Sequence, residues 1–520
     1  MPDNHTPAAS TPFTPRQLTG FVFITGLVIT AIEITASRAL APYFGTSLYV
    51  WANVIGITLI ALATGYSTGG KLADRHPERH VLAFVVLAAG VYTTLIPVLV
   101  RVVAKTLIAT TTEAGLQFVV VVASLLAAAL LFFPPIFLLG MVSPFAIRLA
   151  ATTVEATGRA AGRIFAASTV GSIVGIFLPA FFLIPFVGVR ETFFLGSAAL
   201  ILLSAIVLGR RGRWAFALLL LPIGGYLLTR GMFIRPDGVT VEERDSAYQY
   251  VRVTASEDGT RALRINDGIG IQSLYHPDRI LFGGYYDYFS ALPFINGRAG
   301  ERYDALIVGL AGGTLSRQLD AFAGPVLDLH MDGVEIDPDI VALAKKHFAL
   351  ERDNLTIHTA DGRMFLATTA QQYDLIITDA YSQQVYIAPH LTTQEYFQLA
   401  RQHLRPGGIF SINVNAFRDD APLLQRILAT LESVFPHVAV KRLPGVANHL
   451  ILATTEQLSS VGLEERVPLA LKDHMATIRQ AAAPTHAVPA RQVFTDNRAP
   501  VELLTEAMFF DLLATENGAS

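Results

Sequence analysis

The sequence predicts two folds in series: an α-helical transmembrane bundle, then an α/β Rossmann-like domain with a small N-terminal β-hairpin subdomain. Three observations predict this. Of the 520 residues, 52% are apolar and 16% charged, where a soluble protein carries about a quarter charged; the apolar excess lies before about residue 231. Residues 244–268, "RDSAYQYVRVTASEDGTRALRINDG", alternate apolar and polar side chains in two runs parted by the turn "SEDGT", the pattern of a hairpin. From residue 303 short apolar runs alternate with helix-like segments, the pattern of a parallel sheet with crossovers.

The organisation expected is a polar tail (1–17), a transmembrane domain of about seven helices (18–231), a β-rich subdomain (236–300) and a Rossmann-like domain (301–520). The net charge of −3 and the lack of a basic run speak against nucleic acid. Without cysteine the chain has no disulfide, thiolate metal site or cysteine nucleophile. The stretch "MPDNHTPAASTPFTPRQ" runs straight into a long apolar span, which reads as no cleavable signal peptide.

Spans are expected at roughly 18–40, 50–69, 82–103, 116–140, 164–186, 191–209 and 214–230, with a kink at Pro134 and Pro135 in the fourth. The small residues of "STVGSIVG" (168–175) would let helices approach closely. Lys71, Arg75, Arg79, Arg148, Arg159, Arg163, Arg210, Arg211 and Arg213 follow spans two, four and six; only Arg101, Lys105 and Arg190 follow the others. That bias puts the N-terminus in the cytoplasm of a multi-pass protein of the cell inner membrane. Seven crossings then place the C-terminal half outside. The supply of its substrate favours the inside, and on that ground the cytoplasmic side is expected. Glu33 and Arg38 fall within span one; each reads as a functional group, as half of an ion pair, or for Arg38 as a side chain reaching the interface. "GYSTGGKLADRHPER" (65–79) resembles the cytoplasmic loop after the second helix of major-facilitator transporters.

In the soluble half, "YDALIVGL" (303–310), "LDLHMDGVEID" (327–337), "NLTIHTAD" (354–361), "YDLIITDA" (373–380) and "GGIFSINVNA" (407–416) read as strands, and "PDIVALAKKHFA" (338–349) as a helix. Gly309, Glu335, Asp361 and Asp379 then fall at four successive strand ends, where such sheets bind ligands. The glycine turn "VGLAGGTLSRQ" (308–318) lacks the Gly-Lys-Ser/Thr of a phosphate loop and the GxGxxG of a dinucleotide site. Gly309, Gly312 and Gly313 would admit a ligand close to the backbone. Glu335 is placed to accept from both ribose hydroxyls, and Asp361 from an adenine amino group. Together they suit a nucleoside without phosphates; singly, each carboxylate also reads as a helix N-cap. Asp379 suits a base beyond the nucleoside. Tyr285, Tyr286, Tyr288, Tyr381 and Tyr386 are expected around the proposed cleft, as cation-attracting faces or as core with a polar tip.

These residues resemble the spermidine synthases, the polyamine aminopropyltransferases. The likeness rests on "DSAYQYVRV", "DGIGIQS", "GLAGGTLSRQ", "VEIDPDIVALAKKHF", "ADGRMFL", "YDLIITDA" and "LRPGGIF" between about 240 and 440, and the apolar half resembles the membrane-fused branch of that family. The resemblance implies a class I methyltransferase-like fold. It implies decarboxylated S-adenosylmethionine as co-substrate, no metal, and transfer of an aminopropyl group to a small, putrescine-like amine, giving spermidine or a related polyamine plus methylthioadenosine. It implies Asp379 as the catalytic carboxylate. Gln272, Gly309, Gly312, Gly313, Glu335, Asp337, Asp361 and Gly362 would hold the nucleoside, and Tyr285, Tyr286, Asp287, Tyr381 and Ser382 would face the amine. Partners expected are the amine, the lipid bilayer and a second copy of the chain.

Departures fall on the amine side. The family's GGGDG has Gly312 where its Asp stands; its Tyr-His-Glu is Tyr285, Tyr286 and Asp287; its second Asp, before proline, is Ser382 followed by Gln383. Fewer carboxylates hold a dication less well, so either the acceptor differs or Asp287 and the tyrosines substitute. Asp496, in "FTDNRAPVELL" (494–504), folds over the cleft or ends the domain. Two other readings stay open: an S-adenosylmethionine methyltransferase, and a polyamine transporter with a nucleoside-binding domain.

Overall fold

The computed structural model describes residues 14–111, 119–151, 157–234, 239–266, 270–381, 386–457, 464–484 and 492–508. The chain divides into two units, Met1–Arg235 and Pro236–Ser520.

Among the described residues of the first unit seven helical stretches are long and apolar enough to cross a membrane, the fourth with a one-residue interruption at Met141: Pro15–Phe44, Leu48–Arg75, Arg79–Ala109, Phe133–Ala150, Thr157–Phe186, Val189–Leu208 and Gly212–Thr229. The first begins at a reciprocal cap. Thr14 Oγ1 accepts from Gln17 N at 3.3 Å and Gln17 Oε1 accepts from Thr14 N at 3.0 Å, with Pro15 in the first turn, which satisfies two donors that the helix itself leaves unpaired. The fourth region differs from the sequence expectation. Its apolar run is divided into helices Ser124–Leu131, Phe133–Gly140 and Val142–Ala150. Pro134 and Pro135 stand in the first turn of the second of these, just past the interruption at Phe132, where a proline gives up no intrahelical bond.

The first and fifth helices touch through small residues. A Cβ on Gly171 would stand 2.1 Å from the Phe23 carbonyl oxygen, and one on Gly175 2.1 Å from that of Leu27. Thr30 Oγ1 donates to the Ser172 carbonyl at 2.9 Å across the same seam, so close backbone approach and a hydroxyl bond act together. Glu33 and Arg38 are half-buried on the first helix.

The second unit opens with a four-stranded antiparallel meander: β1 (Thr240–Asp245), β2 (Tyr250–Ala255), β3 (Arg261–Ile265) and β4 (Ser273–Tyr275). The hairpin read from "SEDGT" is the β2–β3 turn, where Gly259 takes φ +84° and Ser256 N donates to Thr260 O at 2.9 Å. A seven-stranded sheet follows, in the order β10-β11-β9-β8-β5-β6-β7. Its strands are β5 (Arg302–Val308), β6 (Asp328–Glu335), β7 (Leu355–Thr359), β8 (Tyr373–Thr378), β9 (Leu404–Asn415), β10 (His437–Arg442) and β11 (Asn448–Thr454). The β5–β9 pairings are parallel and those of β10 and β11 antiparallel.

Both faces of this sheet are buried, as the near-continuous apolar strands require. Leu306 and Val308 face Tyr396, Phe397 and Leu424; Ala305 and Ile307 face Leu315, Leu319 and Phe294. From β5 the chain winds to β6 and β7 on one side, then returns to β8 and β9 on the other. The strand order therefore reverses between β5 and β8, and the carboxyl ends of the strands at such a reversal are where open α/β sheets bind ligands.

Candidate active site

At this reversal β5 and β8 end tightly together. Asp379 N donates to Val308 O at 2.8 Å, and Gly309 N to Val334 O at 2.9 Å. Gly309 has φ +90°, and a Cβ on it would lie 2.3 Å from the Asp379 carbonyl oxygen. Glycine is required here on both counts. Its neighbours are also packed by protein: a Cβ on Gly312 would meet Ser273 Cβ at 2.7 Å, and one on Gly313, at φ +80°, Leu350 Cδ1 at 2.2 Å. The close approaches these three glycines allow are thus to the chain itself. Gly312 N donates to Ser273 Oγ at 2.8 Å, which ties the turn to the start of β4.

Glu335 ends β6, buried. Its Oε2 accepts from Ala311 N at 2.9 Å and its Oε1 from Asp337 N at 3.1 Å. Burial pushes its pKa up to about 7, opposed by those backbone donors. Asp337 is fully buried and caps helix Pro338–His347, accepting from Asp339 N at 3.0 Å and Ser246 Oγ at 2.5 Å; burial raises its pKa too. Asp361 caps helix Gly362–Thr368 through Arg363 N and Met364 N, at 3.0 and 2.9 Å, and its Oδ2 pairs with His390 Nε2 at 2.8 Å. Asp337 and Asp361 are therefore both helix caps, and Asp361 shares its other oxygen with an imidazole. A Cβ on Gly362 would be 2.3 Å from Val308 Cγ1, so that helix starts hard against β5. Gln272 is half-buried between two pinned residues: Ile271 O accepts from Tyr286 Oη at 2.8 Å, and Ser273 holds the glycine turn.

Asp379 stands half-buried just past β8. Tyr285 Oη donates to its Oδ2 at 2.8 Å and Asn413 Nδ2 to its Oδ1 at 3.0 Å. The surrounding protein pushes its pKa up to about 6, the two donors pulling the other way. At neutral pH it is a largely ionised carboxylate within one unit of its proton, the condition of a base. Tyr286 packs on Tyr285 with ring centroids 4.0 Å apart. Tyr381 Oη donates to Asn413 O at 2.9 Å and accepts from Asn415 N at 3.1 Å. Burial raises all three hydroxyls, so they stay neutral.

Asp287 faces away from this group. Its buried carboxylate accepts from Phe282 N, from Gly283 N at 2.8 Å and from Gln318 Nε2 at 2.6 Å, and it holds the 282–283 turn. Tyr288 sets its ring edge on His474, and Tyr386 donates to Glu506 Oε1 at 3.0 Å. Ser382 lies outside the described residues. Asp496 pairs with Arg363 through both oxygens, at 2.7 and 2.6 Å, and accepts from Thr393 Oγ1 at 2.8 Å, so its segment braces the helix that Asp361 caps. Sequence reasoning missed Ser246, Ser273, His390 and Asn413. Only Asn413 carried a signal, an amide inside the apolar strand "GGIFSINVNA".

Residues 293–460, which hold the sheet from β5 to β11, match the spermine/spermidine synthase domain family. A "Probable polyamine aminopropyl transferase" of Bifidobacterium longum is 30% identical over 299 residues, covering 53% of this chain and 64% of the relative. A "Polyamine aminopropyltransferase" of Vibrio vulnificus is 32% identical over 158 residues, covering 29% of this chain and 50% of the relative. The chain thus spans less than two-thirds of the length of either. "Polyamine aminopropyltransferase 2" of Aquifex aeolicus aligns over 401 residues at 21% identity, 75% of this chain and 77% of the relative. That is longer than residues 236–520, so the likeness runs past them into the apolar half. An "eEF1A lysine and N-terminal methyltransferase" of Homo sapiens is 31% identical over 183 residues, 31% of this chain and 25% of the relative. The crystal structure of a probable spermidine synthase from Corynebacterium glutamicum aligns with 47% of this chain and 88% of its own at 21% identity, with a TM-score of 0.38.

Proposed function

We propose that the C-terminal half transfers an aminopropyl group from decarboxylated S-adenosylmethionine to a small, putrescine-like amine, giving spermidine or a related polyamine and methylthioadenosine. The observation that carries this is Asp379, held by Tyr285 at the β5–β8 crevice of a synthase domain. The amine lone pair attacks the carbon beside the sulfonium. A C–N bond forms, the C–S bond breaks, and its electron pair leaves on sulfur as a neutral thioether. The nitrogen sheds a proton to the Asp379 carboxylate. An alkylamine pKa of about 10.4 lies some four units above that of Asp379, so desolvation in the crevice must lower the amine before it can react. Glu335 accepts from the ribose hydroxyls. Asp361 and Gly362 line the base, Gln272, Asp337 and the glycine turn complete the nucleoside side, and Tyr285, Tyr286 and Tyr381 wall the amine. With Asp287 engaged by protein donors, the tyrosine faces attract the cation in its place; Ser382 completes the amine side.

The same crevice serves methyl transfer from S-adenosylmethionine, a reading favoured by the likeness to a lysine methyltransferase. Incubating the full chain with each nucleoside and a panel of amines separates the two. Methylthioadenosine is expected with the decarboxylated form; S-adenosylhomocysteine with the parent nucleoside would point to the methyltransferase.

We also place the protein in a membrane. Leu59, Phe181 and Leu228 of the first unit are exposed by 60%, 61% and 72%, a surface that suits lipid and not water. The catalytic half is read as cytoplasmic, where adenosyl sulfonium compounds are made. A cytoplasm-dependent reporter joined after Ser520 should be active; a silent one, with a periplasm-dependent reporter active instead, would place that half outside.

A further inference from the structure

Behind Asp379 lies a second buried amide. Asn413 on β9 and Asn448 on β11 are 2% and 7% exposed. Asn448 Nδ2 donates to Asn413 Oδ1 at 2.9 Å, and Asn413 Nδ2 donates to Asp379 Oδ1 at 3.0 Å. Both strands run through the core. The direction of the chain is dictated by its end. An ionised carboxylate only accepts, so Asn413 must turn its NH₂ toward Asp379 and its oxygen away. That oxygen then needs a donor, which Asn448 supplies. If Asn413 flipped, its oxygen would face a carboxylate oxygen, and two NH₂ groups would meet at the other end.

We infer that Asn413 is a positioning residue for Asp379 and that Asn448 acts through it, fixing the amide so that the carboxylate is held ionised and aimed into the crevice. This rests on Asp379 being the base of the proposed transfer. The titratable groups facing Asp379 among the described residues are Tyr285, Tyr286 and Tyr381, all raised and neutral. An acid limb near pH 6 in kcat, read with the nucleoside saturating so that Glu335 stays engaged, therefore belongs to Asp379. The backbone of Asn413 is tied to the same loop, since its carbonyl accepts from Tyr381 Oη, so strand β9 fixes both ends of the segment that carries the base.

The test is the pH profile of kcat for methylthioadenosine release by the full chain, with Asn413→Leu, Asn448→Leu and Asn448→Asp. Losing one donor to an ionised acceptor moves the acid limb up by about one pH unit. Asn413→Leu should then show about fivefold less activity than the wild type at pH 6 and near parity at pH 8.5. Asn448→Asp does not touch Asp379, yet it puts an acceptor against Asn413 Oδ1 and turns the amide over. It should move the limb at least as far, and Asn448→Leu less far. A folded Asn448→Asp chain with an unmoved limb overturns the inference, as does a limb moved by Asn448→Leu alone. Infrared titration of the Asp379 carboxyl, located by difference from Asp379→Asn, reads the same shift without turnover. If the wild type releases no methylthioadenosine the transfer reading falls, and the infrared shift still decides the role of the two amides.

Discussion

Replacing Asp379 with asparagine is expected to cut turnover by about 10²–10⁴-fold, the range a positioned base contributes, with little change in the KM for the nucleoside. Asparagine fits the site. Its carbonyl oxygen can accept from Asn413 Nδ2, and its NH₂ can donate to the Tyr285 hydroxyl in place of Oδ2. The geometry survives and the proton acceptor is lost. The same substitution should stabilise the domain at neutral pH. The carboxyl has a pKa of about 6 when folded, against about 3.9 unfolded, so the folded state binds more protons between those values. Its contribution to stability is complete below about pH 4 and is lost as the pH rises through 6. Removing the group should therefore raise stability by on the order of 1–2 kcal/mol above pH 7, allowing for the half-exposed side chain, and by nothing near pH 4. Methylthioadenosine release and the thermal transition of the C-terminal half at the two pH values check both sides. An asparagine variant that keeps wild-type turnover removes Asp379 from the chemistry.

The shared strand-end edge was legible because two kinds of signal coincided. Alternating apolar strands and helix-like segments set the sheet, and the sheet fixes that residues after β5, β6, β7 and β8 share one edge. Gly309, Glu335, Asp361 and Asp379 meet there for that reason. What each does at that edge was less legible. Asp361 is a helix cap, and the glycine turn closes on Asp379, Ser273 and Leu350, because a cap and a ligand contact ask for the same residue at the same place. Asp287 looked like a replacement for a family carboxylate, yet Phe282 N, Gly283 N and Gln318 engage it. No pattern along the chain shows which way a side chain turns when three donors compete for it. Asn413 and Asn448 meet only because β11 pairs with β9, across a separation of 35 residues. In the apolar half, composition located the long apolar helices, whose ends run up to seven residues beyond those expected, except where Phe132 and Met141 break the fourth run. There three short helices replace one, and hydropathy alone does not distinguish them.

Glu335→Gln is expected to raise the nucleoside KM by about 10–100-fold while kcat at saturation stays nearly unchanged. Each bond to an ionised acceptor contributes roughly 1.5–3 kcal/mol, and at least one is lost. Glutamine cannot reproduce the site. Oε1 and Oε2 both accept backbone N–H groups, from Asp337 and Ala311, so an amide turns its NH₂ against one of them and leaves a single oxygen to share with the ribose. The pH dependence follows from the same carboxyl. With a pKa of about 7 before ligand binds, its acceptor form declines as the pH falls through 7. The wild-type KM for the nucleoside should therefore rise on acidification from pH 8 to 6, and that rise should vanish in the glutamine variant. The kcat profile, read at saturation, should keep only the limb near 6 that belongs to Asp379. Two buried carboxylates at neighbouring strand ends would then be told apart by which kinetic constant each one governs. A glutamine variant with the wild-type KM and the wild-type pH dependence would mean that Glu335 holds the glycine turn through Ala311 N and does not touch the nucleoside.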